Sequence, residues 1–257
     1  MGFEMKNFAL EGRTALVLGG SGGIGREIAL GYRAAGANVL IAARTQAKID
    51  AVVAELDQDL TAPAGYAADL RDVAALKHLA ATILEDHGPI DILVNCQGTL
   101  SLGPALDVTE EAYDTMLDTN LKSVFFACTT FAPPMIEKGR GAIINIASLS
   151  AHTGWANAST YCASKWGVVG LTQTFAAEWG EKGVRVNAIT PGFFLTDLNR
   201  DRMSPERKAE ASRRASMKRL GELEELVGAA IFLASDGARF VSGATLRVDG
   251  GYLATGI

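Results

Sequence analysis

Tyr161, Lys165 and Ser148 are the residues of this chain whose types and spacing could move a proton. They form the pattern S-x12-Y-x3-K. Tyr161 opens the stretch TYCASKWGVVGLTQTFAAEWG, which reads as a helix, so a four-residue spacing puts its phenol and the Lys165 ammonium on one face. A phenol titrates near pH ~10, too high for ready proton exchange at neutrality. A cation held beside it favours the phenolate and lowers that value, which makes a general acid or base. Ser148 ends the apolar run GAIINIAS, a buried-strand pattern, where its hydroxyl could hold a substrate oxygen beside the phenol. The plainer alternative is a tyrosine and a lysine decorating a helix surface.

These groups need elements to position them, and a second motif shows which. RTALVLGGSGGIGREIALGYRAAGANVLIAAR reads as strand, glycine-rich turn, helix and strand. Gly19, Gly23 and Gly25 have the spacing G-x3-G-x-G. Glycines there let backbone approach a pyrophosphate at the positive end of a helix. Glycine-rich turns are common, but this one follows a strand and opens a helix, the context a nucleotide site requires.

Taken together, these motifs resemble the short-chain dehydrogenase/reductase family over essentially the whole chain. The family's T-G-x3-G-x-G stands here as Leu18-Gly19-Gly20-Ser21-Gly22-Gly23-Ile24-Gly25. Its N-N-A-G after the fourth strand stands as Asn95-Cys96-Gln97-Gly98, its helix asparagine as Asn120, and its P-G-x3-T as Pro191-Gly192 and Thr196. Within the family, DILVN, KSVFF, IINIAS, EELVGAAIFLAS and VDGG look most like gluconate 5-dehydrogenase and the 3-oxoacyl-carrier-protein reductases. The resemblance implies that Lys165 binds the nicotinamide ribose as well as lowering the Tyr161 pKa, and that Asn120 holds a water linking Lys165 to solvent. It implies cofactor contacts along the glycine turn (Gly19, Ser21, Gly23, Ile24, Gly25), at Asp69 and Leu70, at Asn95 and Gly98, and from Pro191 and Gly192 through Phe194 to Thr196. Asp69 corresponds to an acidic residue that contacts adenine, although it also reads as a helix N-cap before RDVAALKHLA. Two departures stand out. Leu18 lacks the threonine hydroxyl that would tie the turn to neighbouring backbone. Cys96 and Gln97 replace Asn and Ala, and the bulkier Gln97 either crowds the cofactor ribose or points away.

The second strand ends Ala43-Arg44, where a NAD-type site carries a carboxylate for the ribose 2′-hydroxyl. A guanidinium there can pair with a 2′-phosphate, so the expected cofactor is NADP(H), against the alternative of a simple surface arginine. The expected reaction is hydride transfer between NADP(H) and a carbonyl/secondary alcohol pair. Tyr161 exchanges the proton and Ser148 hydrogen-bonds the reacting oxygen. Substrate-pocket candidates are Ser148, Leu149, Trp155, Tyr161 and Phe193. Their apolar character favours a hydrophobic ketone, whereas the subfamily resemblance implies a sugar acid or a carrier-protein thioester. A nucleotide-binding regulatory protein without turnover is the non-enzyme alternative, disfavoured by the intact Ser148, Tyr161 and Lys165 set.

The chain has 257 residues, of which 48% are hydrophobic, and a formal net charge of -5. That length suits one α/β domain, 1–257, and the charge argues against general nucleic-acid binding. There is no apolar run of membrane-spanning length and no signal-peptide core. Cys96, Cys128 and Cys162 lack metal-ligand spacing, so no metal is expected, and an odd number of thiols fits a cytoplasmic protein.

Strands read at 13–18, 37–43, 64–68, 90–95, 141–147, 184–190 and 244–248. Helices read at 23–36, 46–60, 72–87, 108–138 with an interruption, 156–182 and 222–235. This alternation predicts a single-domain Rossmann-type fold: a doubly wound, parallel, seven-stranded sheet with helices on both faces. Pro133-Pro134 is expected to kink or end a helix. Residues 193–219 carry eight Lys/Arg and four Asp/Glu. By resemblance this stretch is a substrate lid, either an electropositive gate or a solvated helical hairpin. FAAEWGEKGVRVNA and the C-terminal VDGGYLATGI match regions that pack between subunits in the family, which predicts a homotetramer. The alternative is a C-terminal tail folded over its own subunit.

Overall fold

The apolar runs of the sequence are buried on both sides because their side chains alternate between two cores. The computed structural model describes residues 4–57, 64–196 and 203–255. Among these, seven strands form one parallel sheet: β1 (Thr14–Leu18), β2 (Asn38–Ala43), β3 (Gly65–Ala67), β4 (Ile92–Asn95), β5 (Gly141–Ile146), β6 (Val184–Pro191) and β7 (Thr245–Val248). Leu16, Leu18, Leu40, Leu93 and Ile143 face one core. Val17, Val39, Ile41, Val94 and Ile144 face the other. A continuous run of Val, Ile and Leu is the pattern such doubly covered strands require.

Helices α1 (Gly23–Ala34) and α2 (Gln46–Leu56) cover one face. Helix α3 (Val73–His87) covers the other. Next come α4 (Glu110–Leu117), α5 (Ser123–Lys138), α6 (Ser159–Trp179), α7 (Pro205–Arg214) and α8 (Val227–Ala234). Helices α5 and α6 join α3, while α8 joins α1 and α2. The predicted span 46–60 ends at Leu56 in the described residues, and positions 58–60 lie outside them. The ends of the spans 156–182 and 222–235 tighten into 3₁₀ turns at Gly180–Lys182 and Leu223–Leu226.

The interruption within 108–138 is not at the prolines. Helix α5 runs through Pro133 and Pro134 to Lys138, contrary to the expectation of an end there. Pro133 is exposed and Pro134 half-buried, so the carbonyls deprived of N–H donors lie on the outer stripe, within reach of water. Phe131, Ala132 and Met135 keep the inner stripe in the core. The break falls at Asp118–Lys122, a π-turn between α4 and α5.

The strand order is β3-β2-β1-β4-β5-β6-β7. The chain therefore changes direction across the sheet between β1 and β4. In such sheets the crevice beyond the carboxyl ends of those two strands is where ligands bind.

Candidate active site

The turn after β1 is shaped by close approach. Gly19 has φ +78°, and a Cβ there would sit 2.7 Å from the Gln97 backbone nitrogen. A Cβ on Gly25 would sit 2.3 Å from the Gly19 carbonyl oxygen. The segments following β1 and β4 thus meet backbone to backbone, and α1 opens directly behind them with its N–H groups unpaired. This cradle begins a cleft of about 560 Å³. Ser21, Gly23, Ile24, Leu70, Gly98, Pro191, Gly192, Phe194 and Thr196 all line it.

At its outer end the cleft is cationic. Arg44, Thr45 and Lys48 are exposed on the β2–α2 connection and line the cleft together with Asp69 and Arg71. Neither Arg44 nor Lys48 has a salt-bridge partner among the described residues. Asp69 is bound by the Arg71 guanidinium, Nη2 to Oδ2 at 2.7 Å, which holds its carboxyl below the usual range with a smaller contribution from Arg44. The N-cap of α3 is Asp72, which accepts from the Ala74 and Ala75 amides, so the capping alternative for Asp69 is wrong by three residues. Thr45, Lys48 and Arg71 were missed by sequence reasoning. Lys48 lies in the first turn of α2, which opens just after Arg44, and that closeness in sequence could have found it.

At its inner end the cleft is buried and polar. Ser148, Tyr161 and Lys165 line it together. The Ser148 hydroxyl faces the Tyr161 phenol closely enough to lower its pKa, and the Lys165 ammonium lies 6.0 Å from the Tyr161 ring centre. The expected lowering of the phenol pKa by Lys165 is not what the structure gives. Burial raises the Tyr161 pKa, with the Ser148 hydrogen bond opposing it. Lys165 Nζ instead donates to the Ile146 carbonyl at 2.8 Å, and burial brings its own pKa down to about 8. Cys96, in the same wall, is pushed up to about 12 by burial.

Asn120 is fully buried in the π-turn. Its Oδ1 accepts from the Thr99 amide at 2.7 Å and its Nδ2 donates to the Thr99 carbonyl at 2.9 Å and to Ser164 Oγ at 3.2 Å. A Cβ built on Gly98 would stand 3.5 Å from Asn120 Oδ1 and 3.7 Å from Lys165 Nζ, so both atoms face one point. A π-turn widens a helix by one residue and is frequent at functional sites.

Several expectations need correction. Asn95 does not line the cleft. Its amide points into the protein and donates to Asn145 Oδ1 at 2.8 Å, because both asparagines sit on paired strands in the apolar interior. Of the two alternatives left open for Gln97, the structure shows the side chain pointing away, its Nε2 turned inward to Ser123 Oγ at 3.1 Å. Leu149 is a core residue, 1% exposed. Trp155 stacks on Phe193 at 5.5 Å, and Phe193 contacts Tyr252 at 5.3 Å. Phe193 lines a separate cavity of about 340 Å³ beside the cleft, bounded by Phe194, Arg247 and Tyr252. Among the lid cations, Arg213 pairs with Glu210 and Arg219 with Glu225, as a solvated helix would have it. Arg200 and Arg202 lie outside the described residues.

Residues 19–253 match the family described as Enoyl-(Acyl carrier protein) reductase. The chain is 39% identical to D-threitol dehydrogenase of Mycolicibacterium smegmatis, over 96% of this chain and 95% of that one. It is 35% identical to gluconate 5-dehydrogenase of Gluconobacter oxydans, over 95% and 96%. A crystal structure of a gluconate 5-dehydrogenase from Burkholderia cenocepacia, in complex with NADP and tartrate, superposes with a TM-score of 0.90 at 33% identity. That match covers 98% of this chain and 99% of that one.

Proposed function

This chain belongs to the short-chain dehydrogenase/reductase family, and on that premise we propose that it interconverts a small polyhydroxylated ketone and its secondary alcohol with NADP(H). The observation that carries this reading is one cleft with the Ser148, Tyr161 and Lys165 set at its inner end and unpaired cations at its outer end. The cleft fits a dinucleotide: backbone glycines for the pyrophosphate, and Arg44, Lys48 and the first turn of α2 for a 2′-phosphate. Thr45 caps α2 without a side-chain capping bond, so its hydroxyl is also available there.

When bound, the nicotinamide supplies or accepts the hydride. The chain's own residues manage the proton and the oxygen. Tyr161 carries a proton on its hydroxyl, which burial keeps in place until a carbonyl oxygen arrives to take it. Ser148 Oγ lies beside that hydroxyl and stabilises charge developing on the same oxygen. Lys165 would hold the nicotinamide ribose, and Asn120 the inner end of a proton path. A firmly protonated phenol suits the reducing direction. The polyhydroxylated substrate class follows the threitol and gluconate enzymes that this chain resembles.

The chain works as one domain, 1–257, with residues 193–219 as a lid. Three free thiols suit a cytoplasmic setting, and no described helix is long and apolar enough to cross a membrane. We propose a homotetramer, carried by exposed Phe125 and Trp166 on α5 and α6 and by the sheet-edge strand β7. Phe175 and Trp179, in the segment first read as an interface, are buried in their own subunit. Tyr252 of the C-terminal segment also packs on its own lid, against Phe193 and Arg214. Light scattering at micromolar concentration tests the assembly, since a mass near 27.0 kDa would refute it. The function is tested by following NADPH oxidation with ketoses, keto-sugar acids and an acetoacetyl thioester. Turnover of the first two classes is expected. A preference for NADH overturns the cofactor, thioester-only turnover overturns the substrate class, and binding without turnover overturns the enzyme.

A further inference from the structure

Gln97 departs from the small residue its position has in the family pattern, and it lies at the centre of a buried chain of hydrogen bonds. On helix α6, the Thr172 hydroxyl donates to the Val168 carbonyl at 2.8 Å, so it accepts from Asn145 Nδ2 at 2.9 Å. Asn145 Oδ1 accepts from Asn95 Nδ2 at 2.8 Å. That leaves Asn95 Oδ1 as an acceptor facing Gln97 Nε2, at 3.5 Å. On the other side the Ser123 hydroxyl donates to the Thr119 carbonyl at 2.7 Å, so it too accepts from Gln97 Nε2, at 3.1 Å. Each donor fixes the next. Only a group with two N–H donors can satisfy both neighbours of Gln97, and a primary amide has them.

The far end of this chain is the π-turn. Widening a helical turn from i→i+4 to i→i+5 leaves a carbonyl that must be satisfied otherwise. The Ser123 amide bonds to the Asp118 carbonyl in the wide pattern, and the Ser123 hydroxyl takes Thr119, beside Asn120. Gln97 Oε1 is buried with no partner. An unpaired buried acceptor is unfavourable. Its retention points to a role for the Nε2 end.

We propose that Gln97 is a positioning residue: it clamps the π-turn through Ser123 and so holds Asn120 in place opposite Lys165. The inference rests on the catalytic reading of Asn120 and Lys165 above. Two other features anchor Asn120 itself, the Thr99 backbone and Ser164, so the clamp acts on the turn as a whole.

The test compares Gln97→Met, which keeps bulk but removes both donors, with Ser123→Ala and the double variant. Each single variant is expected to lower kcat by roughly ten- to a hundredfold, as small misplacements of reacting groups do. NADPH affinity stays unchanged, and the pH profile of kcat shifts. The double variant is no worse than either single one, because both break the same link. Hydrogen exchange of the amides of 118–123 speeds up in all three, a readout that needs no turnover. Normal kcat and pH profile in Gln97→Met would overturn the proposal. So would multiplicative losses, or a loss confined to NADPH affinity. If Gln97→Met does not fold, Ser123→Ala decides by the same measurements. A wild-type protein that turns over nothing would sink the proposed function, while unchanged exchange at 118–123 would sink the clamp alone.

Discussion

The two ends of the cleft solve opposite problems with opposite physics. At the outer end, Arg44 and Lys48 are solvated, so recognition there is long-range, salt-screened and forgiving of geometry. At the inner end Ser148 and Lys165 are almost fully buried beside Asn120, whose amide is held by the Thr99 backbone and Ser164. Desolvation there pushes Tyr161 up and Lys165 down, so each group is held nearer its neutral form. The comparison teaches that selection of a cofactor needs charge, whereas chemistry needs orientation in a low-dielectric wall.

The sharpest way to break this contrast is Tyr161→Phe. Removing the transferable proton is expected to lower turnover by about 10²–10⁴-fold while cofactor affinity holds, because the phenol acts only on the reacting oxygen. Steady-state kinetics beside a fluorescence titration of NADPH checks it. Near-normal turnover would take the proton role away from the inner end. A smaller effect belongs to the outer end. Arg44→Ala should weaken NADPH by roughly ten- to a hundredfold and NADH little, the typical loss of a charge-assisted pair. Equal losses for both cofactors would mean that Arg44 supports the fold of the connection rather than a phosphate.

The smallest effect reads the burial of Lys165 directly. Its folded pKa is about 8 against an ordinary 10.5. Between those values the unfolded chain holds a proton that the folded chain has released. This group's contribution to stability is therefore present above the ordinary value and is lost as pH falls toward 8. Thermal melts of the cofactor-free protein should show wild type gaining on Lys165→Met as pH rises from 8 to 10.5. Parallel curves would show that Lys165 is solvated.

Legibility in the sequence followed the kind of signal each feature leaves. Continuous apolar runs alternating with helical stretches, and the glycine turn, made the parallel sheet readable, whereas its strand order came only from the structure. The proton groups were readable because their spacing along α6 is local. What failed depended on direction rather than position. Asn95 stands at the right strand end, but its side chain leaves the cleft for Asn145, and no local pattern encodes that choice. The lowering of the Tyr161 pKa failed because it assumed a nearby free ammonium, whereas the Ile146 carbonyl holds Lys165 and burial dominates. Pro133-Pro134 drew attention away from the true break at Asp118–Lys122, whose composition, DTNLK, carries no strong breaker.

That break has a consequence for chain length. A π-turn spends one residue more per turn than its flanking helices, so α4 and α5 are joined by a surplus residue. Deleting one position within 118–122 would let the ladder close uniformly and keep both flanks in register with the core. Such a shortened protein should melt no lower than wild type and still bind NADPH, yet turn over little. The same outcome would mean that single-residue deletions here are neutral for abundance and harmful for function, so the length of this segment is under a constraint that stability screens do not see. A shortened protein that melts far lower would show that the surplus residue belongs to the architecture instead.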